Sequence, residues 1–203
     1  MLLYGYRNGR TLRVLWALEE AGAQYEFTTV DILKGAGQSD WFLRLNPFGK
    51  VPVLVDDLQV ITESAAICMH IAERYPDSGL LPAATTPERS LCYQWISFVI
   101  SEMDAVLWTI AKHRFALPIE RRIPAVTETA AWEFGRAIGV LEQGLQGKKF
   151  LVGDSLSVAD ILTAHCLLWA RSARVAFDTP ILDPYLHRLT TRPAYVRASV
   201  RAY

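Results

Sequence analysis

The amino-acid sequence predicts a small α/β domain followed by an all-α domain. Short β-like runs alternate with helical patterns before about residue 80, and helical patterns dominate after it. A proline-containing segment separates these two regions, with Pro82 and Pro87 interrupting regular structure. The predicted boundaries are residues 1–79 for the α/β domain, 80–87 for the linker and 88–203 for the helical domain.

The α/β domain has the predicted element order β-α-β-α-β-β-α. The strands are expected at residues 2–4, 25–31, 51–55 and 58–61, and the helices at residues 11–21, 40–45 and 64–75. Gly22 and Pro76 end the first and third helices, because glycine favours a helix C-terminus and proline cannot continue one. Asp56 and Asp57 lie between two β-branched runs, which suits a hairpin. Strands interleaved with helices predict a mixed sheet covered by helices.

The second domain contains long helical patterns near residues 88–113, 125–146 and 157–172, with shorter ones near 183–190 and 193–200. The third pattern begins with a capping signature. Ser157 can cap the amide of Asp160, and the Asp160 carboxylate can return a hydrogen bond to Ser157. We expect this pair to be structural, with no catalytic role.

The composition excludes several classes of partner. Of 203 residues 51% are hydrophobic. The 21 basic residues balance 21 acidic ones, so the chain has no excess positive charge that would attract nucleic acid or an anionic membrane. No apolar run approaches the roughly 18 residues that span a bilayer, and the first residues do not resemble a signal peptide. We therefore expect a cytoplasmic protein without nucleic-acid or membrane partners.

The cysteines and histidines do not predict a metal site. The chain has three cysteines, Cys68, Cys92 and Cys166. They cannot all pair within one chain and show no CxxC spacing, which favours a reducing compartment. The clusters Cys68-x-His70 and His165-Cys166 are too sparse for a metal cage. We expect no metal.

The segment that includes Val51 and Pro52 is the first candidate ligand contact. A proline that enters a strand removes a ladder donor, so it belongs at an edge or a strand start. If the Val51–Pro52 bond is cis, the Val51 N–H and C=O remain open to a ligand with an extended peptide backbone. The alternative is an ordinary loop-to-strand proline without a ligand.

Glu63 and Ser64 form the second candidate contact, where the hairpin ends and a helix begins. A helix N-terminus offers free amides and partial positive charge, which suit a carboxylate. The Ser64 hydroxyl adds a donor, and Glu63 can take an ammonium group, so the pair matches an α-amino acid moiety. The alternative is a simple helix cap beside a surface glutamate.

Four stretches in the right order relate the chain to a known family. They are LRVLWALEEAG at 12–22, NPFGKVPVL at 46–54, TESAAI at 62–67 and GDSLSVADI at 153–161. With these stretches the chain resembles a cytosolic-type glutathione transferase. The resemblance implies a thioredoxin-like first domain, a helical second domain that contributes a hydrophobic substrate site, and a homodimer that acts in detoxification with glutathione as co-substrate.

The resemblance also implies roles for individual residues. Val51 would pair its backbone with the cysteinyl unit of glutathione, immediately before cis-Pro52. Glu63 and Ser64 would hold the γ-glutamyl end, and Lys50 would reach the glycyl carboxylate. These five residues constitute the predicted glutathione-binding set.

The residue that activates the thiol departs from the family pattern. Relatives place a Tyr, Ser or Cys at the end of the first strand or the start of the first helix, whereas Asn8, Gly9 and Arg10 occupy the positions where relatives carry Ser or Cys. Three substitutes are expected. The Asn8 amide can donate to a thiolate, Arg10 can lower the thiol pKa by its charge, and Thr11 has a hydroxyl whose alternative role is a helix cap.

The resulting functional prediction is a transferase that conjugates the glutathione thiolate to small hydrophobic electrophiles. One alternative is a glutathione-dependent peroxidase or disulfide reductase in which glutathione supplies all the redox sulfur. Another is a glutathione- or ligand-binding protein with little turnover. The candidate electrophile contacts, chosen by placement on the first long helix of the second domain, are Trp95, Phe98, Met103, Trp108 and His113.

Overall fold

The computed structural model describes residues 1–6, 9–177 and 180–202. The chain divides into two compact units, Met1–Leu81 together with Thr191–Tyr203, and Pro82–Thr190. The division predicted from the sequence placed residues 191–203 with the helical domain. The structure instead groups this segment with the first unit, because its arginine side chains contact the first helix.

The first unit contains a four-stranded sheet within the described residues, in the order β2-β1-β3-β4. Its strands are β1 (Leu2–Gly5), β2 (Glu26–Thr29), β3 (Val53–Asp56) and β4 (Gln59–Ile61). Strands β1 and β2 are parallel, whereas β3 is antiparallel to both β1 and β4. The predicted mixed sheet is therefore confirmed.

The helices of the first unit are α1 (Thr11–Glu20), α2 (Asp40–Leu45) and α3 (Ser64–Arg74). Helix α1 is buried from residue 11 to residue 18, because it packs against α3 and against the C-terminal helix α9 (Pro193–Ala202). Burial on several sides explains why its sequence is apolar almost all round. On α2, Phe42 packs with Val30 and Val53 in one buried cluster.

Helix α9 belongs to the first unit because basic residues of the C-terminal segment contact the end of α1. The Arg192 guanidinium donates to both carboxylate oxygens of Glu20, at 2.6 and 2.8 Å. Arg197 donates to Glu19 at 2.7 Å. The bidentate Arg192–Glu20 pair combines charge with a fixed planar geometry, so it orients the C-terminal segment on α1.

The second unit is built from helices within the described residues: α4 (Pro87–Phe98), α5 (Ala105–Ala111), α6 (Pro124–Leu145), α7 (Val158–Ser172) and α8 (Leu182–Thr190). Two π-helical stretches, Val99–Asp104 and Lys112–Ala116, continue α4 and α5. Helix α7 packs against α4 and α8 and is buried continuously over residues 158–167. The sequence prediction of a helical second domain is confirmed.

The start of α7 carries the predicted capping box between Ser157 and Asp160. One carboxylate oxygen of Asp160 accepts the Leu151 N–H at 2.9 Å and the Tyr185 hydroxyl at 2.8 Å. The other oxygen accepts the N–H and the hydroxyl of Ser157, at 2.9 and 2.7 Å. Burial raises the pKa of Asp160, and these hydrogen bonds oppose the rise. The box therefore joins α7, α8 and the preceding loop through one buried carboxylate.

Candidate functional site

The turn before Val51 is organised by Asn46, whose side chain is almost fully buried. Its Nδ2 donates to the Lys50 carbonyl at 2.7 Å, and its Oδ1 accepts the Phe48 N–H at 3.1 Å. The Gly49 N–H donates to the Asn46 carbonyl at 2.8 Å. Lys50 is exposed, with its Nζ 5.4 Å from the centre of the Phe48 ring. Because both ends of the Asn46 amide are bonded to the turn, the chain enters Val51 in one fixed direction.

Two glycines let the neighbouring loop approach this turn. A Cβ on Gly37 would lie 2.3 Å from the Gly49 carbonyl oxygen. Gly49 has a φ of +64°, and a Cβ on it would lie 2.3 Å from Nε2 of Gln38. Both positions therefore require glycine, which brings the Gln38 side chain beside the turn.

The Val51–Pro52 peptide bond is cis, which is the condition that the sequence interpretation required. The Val51 side chain packs against the buried cluster of Val30, Phe42 and Val53. No backbone hydrogen bond joins Val51 to another residue in the described part of the chain. A partly buried side chain beside an open N–H and C=O is an arrangement with which a ligand that has a peptide backbone can pair.

Glu63 and Ser64 lie at the same end of the β3–β4 hairpin as Val51. The register pairs Leu54 with Ile61; Val51 stands three residues before Leu54, and Ser64 stands three residues after Ile61. The hairpin therefore brings the two candidate contacts together, although 12 positions separate Glu63 from Val51 in the sequence.

Glu63 adopts a backbone conformation that is uncommon for any residue with a side chain. Its φ is 65° and its ψ is 111°, immediately before α3 begins at Ser64. The Glu63 side chain is exposed, whereas Ser64 is 5% exposed. Such conformations persist where the surroundings hold them, and they cluster at ligand sites. The result is an exposed carboxylate beside a helix N-terminus that carries a buried hydroxyl.

Arg13 is the residue of this site that sequence reasoning missed. It is fully buried in α1, and its Nη1 donates to Oγ of Ser64 at 3.2 Å. It also lies near Cys68: burial raises the pKa of that thiol to about 12, and the Arg13 charge opposes the rise. The available signal was an arginine inside an otherwise apolar helix face, because buried arginines are rare unless they are bonded.

The predicted thiol-activating residues have different outcomes. Asn8 lies outside the described residues, and Arg10 is half-buried at the N-cap position of α1. Thr11 is the first residue of α1 and Arg10 is the N-cap residue, so the alternative role of Thr11 as a helix cap is not observed. Its Oγ1 accepts the Tyr6 N–H at 3.1 Å, and the residue is 1% exposed. The absence of a side chain at Gly5 makes room for it, since a Cβ there would lie 2.3 Å from Thr11 Cγ2.

The candidate electrophile contacts lie in the second unit and have mixed environments. Met103 is fully buried, so it serves the core of that unit. His113 is half-buried, and its Nδ1 accepts the Ile123 N–H at 3.0 Å. Three further aromatic candidates are half-buried: Trp95, Phe98 and Trp108. The partly exposed aromatic rings are therefore the members of the set that retain surface for a hydrophobic substrate.

All three cysteines of the chain are buried free thiols: Cys68, Cys92 and Cys166. Burial raises the pKa of Cys68 and of Cys92. In the described part of the chain, no three His, Cys, Asp or Glu side chains are grouped as metal ligands. Nor does any helix there combine the length and apolar composition that crossing a membrane requires.

Two family models match the chain. Residues 1–73 match the glutathione S-transferase N-terminal domain, and residues 102–193 match the glutathione S-transferase C-terminal domain. The first match spans β1 to α3, including the turn at Asn46 and the Glu63–Ser64 pair.

Individual proteins are similar over nearly the full length. Glutathione S-transferase 3 of Zea mays is 32% identical, across 95% of this chain and 90% of its own. The disulfide-bond oxidoreductase YfcG of Escherichia coli is 30% identical, across 96% and 91%. The crystal structure of the transferase URE2P8 of Phanerochaete chrysosporium with oxidized glutathione superposes with a TM-score of 0.88, at 25% identity, across 99% of this chain and 94% of that one. The chain belongs to the glutathione S-transferase family.

Proposed function

We propose that this protein binds glutathione and transfers its thiolate to small hydrophobic electrophiles. The observation that carries the proposal is the meeting of an open peptide edge at Val51 and a helix N-terminus at Ser64 at one end of the β3–β4 hairpin. Glutathione presents an extended backbone and an α-amino acid group, which match these two features.

Each end of glutathione has a proposed partner. The helix amides and the hydroxyl of Ser64 receive the γ-glutamyl carboxylate, and the exposed Glu63 carboxylate receives its ammonium group. The Val51 backbone pairs with the cysteinyl unit, beside Pro52. The exposed ammonium of Lys50 reaches the glycyl carboxylate.

The chemical step requires the glutathione sulfur as a thiolate. The N-terminus of α1 and the Arg10 guanidinium supply positive charge that stabilises it, and the Asn8 amide donates a further hydrogen bond. The Thr11 hydroxyl supports the same region by holding the Tyr6 amide. The thiolate forms a C–S bond to the electrophile, and the leaving group departs with the electron pair of the bond that breaks.

The proposal extends to the remaining partners. Half-buried aromatic residues of the helical unit contact the electrophile, with Trp108 as the first candidate. Two copies of the chain form a homodimer, for which the 77% exposed Phe48 offers apolar surface. The proposed location is the cytoplasm and the proposed role is detoxification, as in the family that the sequence resembles.

Conjugation of glutathione to an activated aryl chloride tests the activity. Arg10→Gln is expected to lower kcat/KM for glutathione about tenfold at neutral pH, because the loss of one charge removes about 1.4 kcal/mol of thiolate stabilisation, which corresponds to about one pKa unit. Arg121→Gln, a matched change at an exposed arginine of the second unit, is expected to leave the rate unchanged. Full activity in both Arg10→Gln and Asn8→Ala would overturn the roles assigned to these residues.

A second candidate function is glutathione-dependent disulfide reduction. It is favoured by the similarity to the Escherichia coli disulfide-bond oxidoreductase and by the burial of every cysteine of this chain. Glutathione thiolate would attack the substrate disulfide, releasing one thiolate and forming a mixed disulfide. A second glutathione would then release the other thiolate and leave as oxidised glutathione. No protein sulfur takes part in this sequence.

The three cysteine thiols of the protein are accordingly expected to be unreactive in the native state. At pH 8 an alkylating reagent should leave all three thiols unmodified, because they are buried and the pKa of Cys68 is raised to about 12, far above the pH of the reaction. Unfolding in urea should expose three reactive thiols, counted by mass spectrometry. Rapid labelling of a native cysteine accompanied by loss of disulfide reductase activity would show that protein sulfur participates.

A further inference from the structure

Arg13 is an unusual residue for the interior of α1. It is fully buried, while its neighbours Leu12, Val14 and Leu15 are apolar and buried as well. An arginine keeps its charge at all ordinary pH values, and burying that charge is costly unless it is bonded. The position therefore calls for a reason beyond packing, since a leucine or methionine would fill it at lower cost.

The hydrogen bond from Arg13 fixes the orientation of the Ser64 hydroxyl. A guanidinium can only donate, so the bond from Nη1 occupies a lone pair of the Ser64 hydroxyl oxygen. With that lone pair taken, the hydroxyl proton must point away from Arg13 and toward another acceptor. The buried arginine thereby makes Ser64 a donor at the N-terminus of α3.

The charge of Arg13 adds to the field of the same helix. The N-terminus of α3 carries partial positive charge from its first amides. Arg13 lies close enough to oppose the rise of the Cys68 pKa, and Cys68 is one helical turn beyond Ser64. The Arg13 guanidinium contacts the first residue of α3, so its positive charge adds to the attraction of that turn for an anion.

We infer that Arg13 is a positioning residue for the γ-glutamyl carboxylate of glutathione, acting through the hydroxyl of Ser64 and through its charge beside the first residue of α3. This inference rests on the proposed function, because it concerns the same ligand. It adds a determinant of specificity: because of the buried guanidinium, the site recognises the γ-glutamyl carboxylate, and a ligand without this carboxylate binds more weakly.

Two ligands separate this role from a structural one. The first is glutathione, and the second is γ-aminobutyryl-cysteinyl-glycine, which keeps the terminal amine but lacks the γ-glutamyl carboxylate. The dissociation constants of both are measured for the wild-type chain, Arg13→Met and Arg13→Lys. The matched control is Arg74→Met, an exposed arginine at the opposite end of α3.

The wild-type chain and Arg74→Met are expected to prefer glutathione over the analogue. Arg13→Met should weaken glutathione binding about tenfold or more and leave binding of the analogue unchanged, because only glutathione presents the carboxylate. Arg13→Lys should recover part of the preference, because it restores the charge without the planar fork. The value of kcat at saturating glutathione should change little.

Several results would overturn the inference. An equal loss of affinity for both ligands would show that Arg13 only supports the fold, and an unchanged preference would show that it does not act on the carboxylate. If neither Arg13 variant folds, Ser64→Ala provides the comparison, and its retention of the full preference would contradict the relay. Failure of the wild-type chain to bind glutathione would overturn the proposed function and this inference together, whereas wild-type binding with unchanged preference overturns the inference alone.

Discussion

Replacing Asp160 by alanine is expected to lower the free energy of unfolding of the helical unit by about 4 kcal/mol. The substitution removes a carboxylate that accepts four hydrogen bonds and leaves the buried donors of Leu151, Ser157 and Tyr185 without it. Each buried donor that loses its acceptor costs about 1–3 kcal/mol. Urea unfolding followed by far-ultraviolet circular dichroism measures the change.

The isosteric variant Asp160→Asn is expected to cost about half as much. One side-chain oxygen can still accept from Leu151 and Tyr185, but the amide nitrogen then faces the Ser157 N–H, and two donors cannot bond each other. Asp154→Ala, at an exposed position of the preceding loop, is the matched control and should be neutral. An Asp160→Ala protein as stable as this control would contradict the structural role of the capping box.

The element order of the first unit was predictable because its signals are local. Gly22 and Pro76 end α1 and α3 within one or two residues of the predicted positions. The candidate ligand contacts were also recognised locally, since Pro52 marks a strand start and Ser64 marks a helix start. The two contacts lie at one end of the hairpin because of the register of β3 and β4. The alternation of apolar and polar residues along the strands does not by itself specify that register.

The features that sequence reasoning missed depend on contacts between distant residues. Arg13 and Ser64 are 51 positions apart, so no local pattern relates them. The assignment of α9 to the first unit depends on Arg192 and Glu20, which are 172 positions apart. Such pairings are decided by tertiary packing, and the helical pattern of residues 193–200 is equally compatible with either unit.

The Thr11 side chain shows how packing overrides a correct local signal. Thr11 does lie at the start of α1, where threonine is a common cap. Because Gly5 has no side chain, the Thr11 side chain fits beside the end of β1, where its hydroxyl accepts the Tyr6 N–H. The thiol-stabilising roles of Asn8, Arg10 and Thr11 stay predictions, and the bond to Tyr6 gives the Thr11 hydroxyl a structural partner.

A lowered thiol pKa is the largest effect expected at the glutathione site. Free glutathione has a thiol pKa near the usual value of about 8.5, and a site that works at neutral pH needs about two units less. That shift corresponds to about 2.7 kcal/mol of preferential stabilisation of the thiolate. Helix α1 begins at Thr11 and its N-terminus carries partial positive charge, and we propose that Arg10, at the N-cap position, adds a full charge at the same end.

The most direct test is a titration of the protein with glutathione that follows the ultraviolet thiolate band of the bound ligand against pH. A bound-thiol pKa about two units below the free value is the predicted result, and Arg10→Gln should reduce that shift by about one unit. Saturable binding of glutathione with an unshifted thiol pKa would contradict the transferase function and favour a glutathione-binding protein with little turnover.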